Sequence, residues 1–434
     1  MCHNMYLDQK GTGEQLMSSE PDAIIIGAGA SGLSAAKELA RMGLSYIVIE
    51  GSHRIGGRAY SEEIAPDVWF DLGCSYLHQG DTNPFVAIAD ELGVIIGKDK
   101  GDLFTDDKLG IYKDGVPLNP SEREAYFSNQ NECYTAVHAS ADRGEDVAVV
   151  DLVDLENKYA MTYANMMAAT YAQDIDQISS IDVATFGAGP DIPILNGYGS
   201  LVAAWGGDIQ VSLNTKVERI EYSSKGVSVE TTRGSIQAQT VLSTVSNGIL
   251  TSGEIEFTPA LPDWKIEAVL GLPIGTLNKI CVLFDEDVFG SGGRGFHINC
   301  DEDAGAAGFE ASVMGQNTAI VFIGGRHAIW LEKQGQQASH EYAVDQVAKV
   351  FGNDIRKHVT RSIATAWTTD PWTRGSYSCP LPGQGHQRNE LARPLEDRLF
   401  FAGEATTVGD HACCHGAFRS GIRAAQEIGN SFKR

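Results

Sequence analysis

The sequence is poor in cationic side chains and has no long apolar run. Lys and Arg together number 33 against 57 Asp and Glu, which gives a formal net charge of −24. Such an excess of acidic residues argues against nucleic acid and anionic membrane surfaces as partners. No run of about twenty apolar residues is present, so no membrane-spanning helix is predicted. The acidity is typical of a solvated surface, and it also suits the steering of a cationic substrate.

Paired cysteines and a leader pattern are also missing. The eight cysteines are scattered, and no C-x-x-C occurs. This spacing excludes a small disulfide framework, favours the reduced thiols of a cytoplasmic protein, and predicts no structural metal site. Residues 1–20 are polar and lack the basic-then-apolar order of a signal peptide, so we expect a flexible N-terminal arm there.

A dinucleotide-binding pattern lies near the start of the chain. The apolar run 23–26 precedes a glycine loop, a helical segment and a second apolar run that ends at Glu50, which is the order of one βαβ unit. We predict that the loop and the helix N-terminus bind a pyrophosphate and that Glu50 binds a ribose. An acidic residue there disfavours a 2′-phosphate, so NADP is not expected. The loop residues with predicted contacts are Gly27, Gly29, Ala30, Ser31 and Gly32.

A second glycine turn follows directly on Glu50. Arg54, Gly56, Gly57 and Arg58 combine backbone N–H groups with two guanidinium groups. Such a turn can bind a phosphate or a flavin ring system. A surface turn with solvated arginines is the alternative, and the proximity of Glu50 disfavours it.

The pattern Glu50-x-x-x-Arg54-x-Gly56-Gly57-Arg58 after G-x-G-x-x-G resembles the start of the flavin-containing amine oxidases. That family includes monoamine and polyamine oxidases and L-amino-acid oxidases. The resemblance implies FAD as the cofactor and an α/β fold. A Rossmann-like FAD-binding domain of the glutathione-reductase-like flavoprotein type would be interleaved with an α+β substrate domain, which has a mixed sheet and a helical insertion.

Along the chain, the resemblance divides 434 residues into two interleaved parts. Residues 21–84, 197–263 and 388–434 are expected to form the FAD-binding domain, and residues 85–196 and 264–387 the substrate-binding domain. Ser121 and Glu124 are spaced as a capping box at the start of a helix in the insertion. Strands are expected over 279–284, 318–325 and 363–367, with a helix over 338–351. The Gly-, Ala- and Asp-rich stretch 290–317 is expected to form loops around an edge strand.

Four residues are expected to act in catalysis. By composition alone, Lys279 suits a strand end that reaches solvent, and His78 suits a structural role in a loop. The resemblance implies instead that Lys279 holds a water at the flavin N5 and assists the reaction with oxygen. It places His78 at the active site, where an imidazole can accept a proton from an ammonium substrate. It makes Tyr377 one aromatic wall before the flavin, and Trp367 either packs against the flavin or belongs to the core.

Further cofactor contacts are implied by the resemblance. Val217 would offer its backbone to the adenine, and Trp372 would pack against the flavin unless it is a core residue. Ser376 stands where members with covalently bound FAD have cysteine, so non-covalent FAD is predicted, with attachment at Cys379 as the alternative. The remaining expected contacts are Gly403 and Glu404 near the ribityl and pyrophosphate groups, and Cys413 and Cys414 where the last helix begins. Cys413 replaces the second aromatic wall, so no two-tyrosine cage is expected.

These features predict a soluble, cytoplasmic FAD-dependent amine oxidase. It would oxidise a C–N bond of a small amine, with di- and polyamines included, to an imine by hydride transfer to flavin N5. Oxygen would reoxidise the flavin and yield hydrogen peroxide. The partners are then the amine and oxygen, with homodimerisation left open. Two alternatives remain: a biosynthetic FAD oxidase or desaturase that acts on a non-amine substrate, and a non-catalytic flavin-bound interaction protein.

Overall fold

The computed structural model describes residues 20–97, 109–290, 293–303 and 305–433. The expected arm over residues 1–20 lies outside these ranges except for its last residue. The helices are α1 Ala30–Arg41, α2 Pro84–Leu92, α3 Pro120–Asp142, α4 Ala160–Tyr171, α5 Ser180–Thr185, α6 Tyr198–Gly206, α7 Asn247–Ser252, α8 Asp263–Gly271, α9 Gly325–Gln334, α10 Gln336–Phe351, α11 Gln387–Ala392 and α12 Cys414–Ser431. In the described part of the chain, no helix combines the length and the apolar character that crossing a bilayer requires.

The strands are short and follow one another in a mixed order with the helices. They are β1 Ala23–Ile26, β2 Tyr46–Ile49, β3 Ser61–Ala65, β4 Val68–Asp71, β5 Tyr76–Leu77, β6 Leu109–Lys113, β7 Val116–Pro117, β8 Ile192–Pro193, β9 Val211–Ser212, β10 Val217–Ser223, β11 Gly226–Thr231, β12 Gly234–Ala238, β13 Thr240–Ser243, β14 Glu256–Thr258, β15 Leu277–Phe284, β16 Gly295–Asn299, β17 Gly308–Ala311, β18 Thr318–Gly324, β19 Val359–Ala364 and β20 Leu399–Phe401.

A parallel sheet of five strands carries the glycine loop. Its order is β20-β13-β1-β2-β9, and every neighbouring pair is parallel. All four residues of β1 are buried, as expected for a strand covered on both faces. One face packs on α1 and α12, and the other packs on the neighbouring sheet β12-β11-β10-β14. The predicted α/β class with a Rossmann-like dinucleotide-binding domain is confirmed.

The second large sheet is mixed and has seven strands. Its order is β19-β15-β18-β17-β16-β6-β7, with α9 and α10 packed on one face. β15, which carries Lys279, lies between β18 and β19 and pairs with both of them antiparallel. The expectation of an edge strand within 290–317 is wrong, because β16 and β17 are fully buried interior strands. Small residues there permit close packing under the helices, although their composition is typical of loops.

The helical insertion is built on α3, α4 and α5, which share a hydrophobic core. Its first helix begins two residues earlier than the predicted capping box requires. The side chain of Asn119 accepts from the N–H of Glu122, and the carboxylate of Glu122 accepts from the N–H of Asn119. The capping box is therefore Asn119–Glu122 and not Ser121–Glu124. Pro120 explains the difference, because proline is favoured in the first turn of a helix.

Candidate functional site

The glycine loop joins β1 to α1 by a turn that only small residues permit. Gly27 has φ +104°, a left-handed conformation that favours glycine. A Cβ at Gly32 would lie 1.9 Å from the carbonyl oxygen of Gly27, so α1 packs directly on the loop. α1 has no acidic residue in its first turn. Its N-terminal N–H groups and its dipole therefore suit an anionic phosphate.

Glu50 ties the loop to the end of β2. Its Oε2 accepts from the N–H of Ala28 at 2.8 Å, and its Oε1 accepts from the N–H of Ser52 at 2.8 Å. A carboxylate oxygen has more than one acceptor position, so both oxygens retain capacity for ribose hydroxyls. The N–H of Gly56 donates to the carbonyl of Ala28 at 2.8 Å, which brings the second glycine turn against the first.

The two arginines of the second glycine turn have different surroundings. Arg54 donates to the carbonyl of Gly57 at 2.7 Å and stacks over the ring of Tyr60 at 3.8 Å; its burial lowers its pKa. Arg58 donates to Glu404 and to the carbonyl of Ser376, each at 2.8 Å. Burial alone would raise the pKa of Glu404, but Arg58 and a second buried arginine hold it below its ordinary value. Arg58 and Glu404 thus form one ion pair in the cavity wall.

Lys279 is buried at the start of β15. Its ammonium donates to the carbonyl oxygen of Gly73 and to Oγ of Ser75, both at 2.5 Å. Burial lowers the pKa of Lys279, and the nearby Asp71 opposes that effect. Burial likewise raises the pKa of Asp71 to about 6, while Lys279 and Ser61 oppose it. The loop after β4 therefore holds a cation in the wall of the cavity, with a carboxyl group nearby.

The aromatic residues expected near the flavin separate into two places. Trp367 is buried and donates its indole N–H to the carbonyl of Leu72 at 3.1 Å, beside the Lys279 loop. Tyr377 donates its hydroxyl to the carbonyl of Thr170 at 2.8 Å, at the end of α4. Trp372 instead lies against Gly51, next to Glu50. Trp367 and Trp372 were both expected near the flavin, but the fold places them in different parts of the cavity.

His78 has a carboxylate partner that sequence reasoning missed. Its Nδ1 lies 2.7 Å from Oδ1 of Asp191, and its ring meets the edge of Phe186 at 6.5 Å. A hydrogen bond from Nδ1–H to the carboxylate leaves Nε2 as the atom that can accept a proton. Asp191 is 113 residues away in sequence, and nothing in its local pattern indicated this contact.

A second missed pair is Tyr76 with Glu310. The hydroxyl of Tyr76 is hydrogen-bonded to Oε2 of Glu310, which is only 1% exposed on β17. Burial raises the pKa of Glu310 to about 7, although Tyr76 and Lys279 both oppose the rise. Tyr76 lines the cavity, so the pair adds a shared proton to its wall. The position of Glu310 within a loop-like stretch gave no signal for it.

These side chains surround one cavity of about 1070 Å³ between the two sheets. It exceeds the range of about 300–1000 Å³ typical of small-molecule sites. All of the sequence-predicted site residues line it except Gly32, which acts through helix packing: Gly27, Gly29, Ala30, Ser31, Glu50, Arg54, Gly56, Gly57, Arg58, His78, Val217, Lys279, Trp367, Trp372, Tyr377, Gly403, Glu404, Cys413 and Cys414. The glycine cradle, the ribose acid and the cavity size fit an FAD molecule with space for a substrate.

Comparison with known proteins shows the family to which the chain is similar. Residues 112–429 match the family described as flavin containing amine oxidoreductase, and residues 25–92 match the NAD(P)-binding Rossmann-like domain. The lysine-specific histone demethylase 1 homolog 1 of Oryza sativa subsp. japonica is 31% identical over 95% of this chain and 53% of its own length. Polyamine oxidase 5 of the same plant is 27% identical over 94% of this chain and 88% of its own length. The chain thus spans about half the length of the demethylase homologue and most of the polyamine oxidase.

Two solved structures share the fold. Cyclohexylamine oxidase from Brevibacterium oxydans IH-35A aligns with a TM-score of 0.80 at 22% identity, over 96% of this chain and all of the other. Wild-type putrescine oxidase bound to putrescine aligns with a TM-score of 0.78 at 18% identity, over 95% of this chain and 99% of the other. At these identities the likeness supports the architecture alone.

Proposed function

The chain belongs to the flavin containing amine oxidoreductases, whose cofactor is FAD, and we propose that it oxidises the C–N bond of a small amine to an imine. The observation that carries the proposal is the single cavity that joins the dinucleotide loop to the buried Lys279 and to His78. FAD held by the glycine loop, Glu50 and the Arg58–Glu404 pair would supply the acceptor for a hydride equivalent from the carbon next to nitrogen, and oxygen would be the oxidant that restores it with formation of hydrogen peroxide.

The protein's part in the reaction begins with the protonation state of the amine. Hydride loss requires a neutral amine, because a protonated nitrogen cannot stabilise the cationic carbon that develops. Nε2 of His78 can accept that proton while Asp191 holds Nδ1 and stabilises the imidazolium. Tyr377 and Trp367, both fixed to backbone carbonyls, shape the walls that orient the substrate.

Lys279 supplies positive charge that the reaction with oxygen needs. Its ammonium is kept away from solvent by β15 and by the Gly73–Ser75 loop. A buried cation stabilises negative charge that develops nearby more strongly than a solvated one does. We propose this electrostatic role for Lys279.

Di- and polyamines are the first substrates to test. Asp191 places a carboxylate at the cavity surface, and the formal net charge is −24. These groups favour a cationic ligand over a neutral one through long-range attraction.

Non-covalent binding of FAD is part of the proposal. The Oγ of Ser376 donates to the carbonyl of Gly275 at 3.0 Å and accepts from the N–H of Leu277 at 2.7 Å, so it is fully engaged. Cys379, the alternative attachment point, is buried and does not line the cavity. Cysteines in the described residues are free thiols, which supports a reducing compartment such as the cytoplasm.

The division into domains is likewise proposed with one adjustment. The parallel sheet draws its strands from residues 23–49, 211–243 and 399–401, and the seven-stranded sheet draws its strands from 109–117 and 277–364. Phe85, Ile88 and Ala89 of α2 pack in the core under the parallel sheet. We therefore propose that the first part of the FAD-binding domain extends past residue 84 to the end of α2.

An anaerobic screen of an amine library against the purified, FAD-loaded protein tests the function. Bleaching of the flavin absorbance by primary or secondary amines is expected, with peroxide formed when air is readmitted, and acid precipitation should release FAD. Bleaching by neutral compounds alone would overturn the proposal in favour of a desaturase-type reaction.

A variant pair tests the assignment of His78. His78→Gln should lower kcat/KM for the best amine by about 100-fold, the usual contribution of a general base. Exposed His386, which lies outside the cavity, is the matched control, and His386→Gln should leave kcat/KM unchanged. Equal kcat/KM values for wild type and His78→Gln would mean that another group accepts the proton of the amine substrate.

A further inference from the structure

The loop that carries Trp372 lies at the part of the cavity next to Glu50, and not at the part next to Lys279, where the flavin ring is expected. A Cβ built on Gly51 would lie 2.4 Å from Cζ3 and 2.6 Å from Cε3 of Trp372, so the indole ring rests on the backbone next to Glu50. Glu50 is the residue whose position suits the ribose of a dinucleotide. Trp372 is 38% exposed and lines the cavity, so its ring is held between solvent and the interior.

The conformation of this loop, residues 370–374, is fixed from within. Oδ1 of Asp370 accepts from the N–H of Trp372 at 2.8 Å and from the N–H of Thr373 at 3.0 Å. Arg374 then has φ +54°, a left-handed conformation that ends the turn. Such an Asp-centred turn orders its residues before any ligand is bound, and this lowers the entropic cost of covering one.

The same loop is fastened on the side where Val217 lies. Oγ of Ser246 donates to the carbonyl of Thr373 at 2.6 Å, and this bond is buried. The guanidinium of Arg374 forms an ion pair with Glu254, which also pairs with Lys216 at 2.6 Å. Lys216 directly precedes Val217, the residue expected at the adenine. The attachment through Glu254 and Lys216 therefore leads to the adenosine side of the cavity.

The residues before and after the loop lie on the Lys279 side of the cavity, so the chain crosses to the Gly51 side and returns within a few residues. Trp367, before the loop, reaches Leu72 beside Lys279, and Ser376, after it, bonds to Gly275 next to β15. Only residues 370–374 reach across to Gly51 and Glu254. Residues 370–374 follow β19 of the seven-stranded sheet, yet they contact Gly51 after β2 and Ser246 after β13 of the parallel sheet.

From this geometry we infer that residues 370–374 form a strap that retains the adenosine half of FAD, with Trp372 as its aromatic cover. The strap makes the site selective for FAD over FMN, which lacks the adenosine. The inference rests on FAD as the cofactor and is independent of which amine is oxidised.

Binding to the apoprotein tests the strap without reference to turnover. FAD is removed, and dissociation constants are measured by flavin fluorescence for FAD and FMN and by competition with FAD for ADP. In Trp372→Ala the dissociation constants for FAD and ADP should rise about tenfold, since an aromatic contact to a base is worth roughly one decade or more. The dissociation constant for FMN should not change.

Trp330→Ala is the matched control, because Trp330 is 54% exposed on α9 and lies outside the cavity. Its FAD affinity should equal that of wild type, and Trp372→Phe should recover most of the loss. Trp372→Leu provides a second truncation if the alanine variant does not fold. Unchanged FAD and ADP affinities, or an equal loss for FAD and FMN, would overturn the strap.

Discussion

Lys279 is a buried cation in the cavity wall. Lys279→Met keeps most of the volume but removes the charge that the Gly73–Ser75 loop holds in place. We expect reoxidation by oxygen to slow by about 100-fold, the typical effect of losing one preorganised charge-stabilising group. Stopped-flow measurement of both half-reactions should show a much smaller change in reduction by amine. Equal rates of reoxidation would refute the role.

Glu310 should make the stability of the protein fall as pH rises. Its pKa is raised by burial from an ordinary value near 4.5 to about 7, so the folded state favours the protonated acid. The stabilising contribution is complete below pH 4.5 and is lost as pH rises through 7. At pH 8 the loss amounts to about 3 kcal/mol.

Glu310→Gln tests this, because glutamine keeps the shape and cannot ionise. The Tm of wild type should drop relative to that of the variant between pH 5 and pH 8. Tyr76→Phe, which removes the hydrogen-bond partner and retains the acid, should keep the slope or steepen it. Parallel Tm curves for wild type and Glu310→Gln would show that Glu310 stays ionised throughout.

Which individual residues could be found from the sequence depended on how local their signals were. Gly27, Gly32 and Glu50 belong to one continuous βαβ pattern, and each lies where the pattern predicted. Asp191 and Glu310 are paired with residues 113 and 234 positions away, and isolated acidic residues carry no indication of such partners. Long-range pairs between single polar groups are created by the fold, so the sequence alone cannot rank them.

The short helix α11 is held by a lysine from another helix. Lys265 of α8 is fully buried, and its ammonium donates to the carbonyls of Glu390, Leu391 and Arg393 at 2.6–2.8 Å. These carbonyls lie at the C-terminal end of α11, where that of Glu390 also accepts from the N–H of Arg393, so the lysine completes the helix end and complements its dipole.

Lys265→Met should therefore destabilise the protein while it preserves apolar packing. The carbonyls of Leu391 and Arg393 would lose the hydrogen bond from the ammonium, and that of Glu390 would keep the bond from the N–H of Arg393, at a cost of about 2–3 kcal/mol in total. Differential scanning calorimetry should show a clear drop in Tm, and Lys225→Met at an exposed position should show none. Equal Tm values for the two variants would mean that water replaces the ammonium.

Prediction of whole elements succeeded where periodicity was strong and failed where composition misled. β15 and α10 were expected near their observed positions, because a run of buried residues and a helical repeat are both local patterns. The stretch that contains β16 and β17 was expected to form loops around an edge strand, since Gly and Asp are rare in strands. Asn119 took the capping role assigned to Ser121 because Pro120 set the start of α3.

The interleaved parts of the molecule are joined by a buried ion pair. Arg388 of α11 and Asp182 of α5 are 1% and 2% exposed, and they are linked by two hydrogen bonds of 2.6 and 2.9 Å. Arg388 also donates to Ser378, which bonds to Glu404. The network connects the helical insertion to the cavity wall.

Asp182→Asn should loosen this connection, because it removes the negative charge that is hydrogen-bonded to the buried guanidinium of Arg388. Removal of one partner from a buried pair typically costs about 3–5 kcal/mol. Thermal unfolding should show a lower Tm, and limited proteolysis should cleave the insertion sooner. Glu145→Gln, which breaks an exposed pair with Arg143, should leave both measurements unchanged. An unchanged Tm and an unchanged cleavage rate for Asp182→Asn would show that the insertion is held by its apolar core alone.

The pairing of the first helix with the last has a consequence for biosynthesis. Oγ of Ser34 in α1 donates to the carbonyl of Phe418 in α12 at 2.7 Å, and β1 reaches β20 only through β13. The glycine loop leaves the ribosome hundreds of residues before its supporting partners at 399–431 are synthesised. During translation the glycine loop is therefore present before β20 and α12, which support it. The nascent chain must remain soluble until α12 emerges. Cofactor capture should then be a post-translational event.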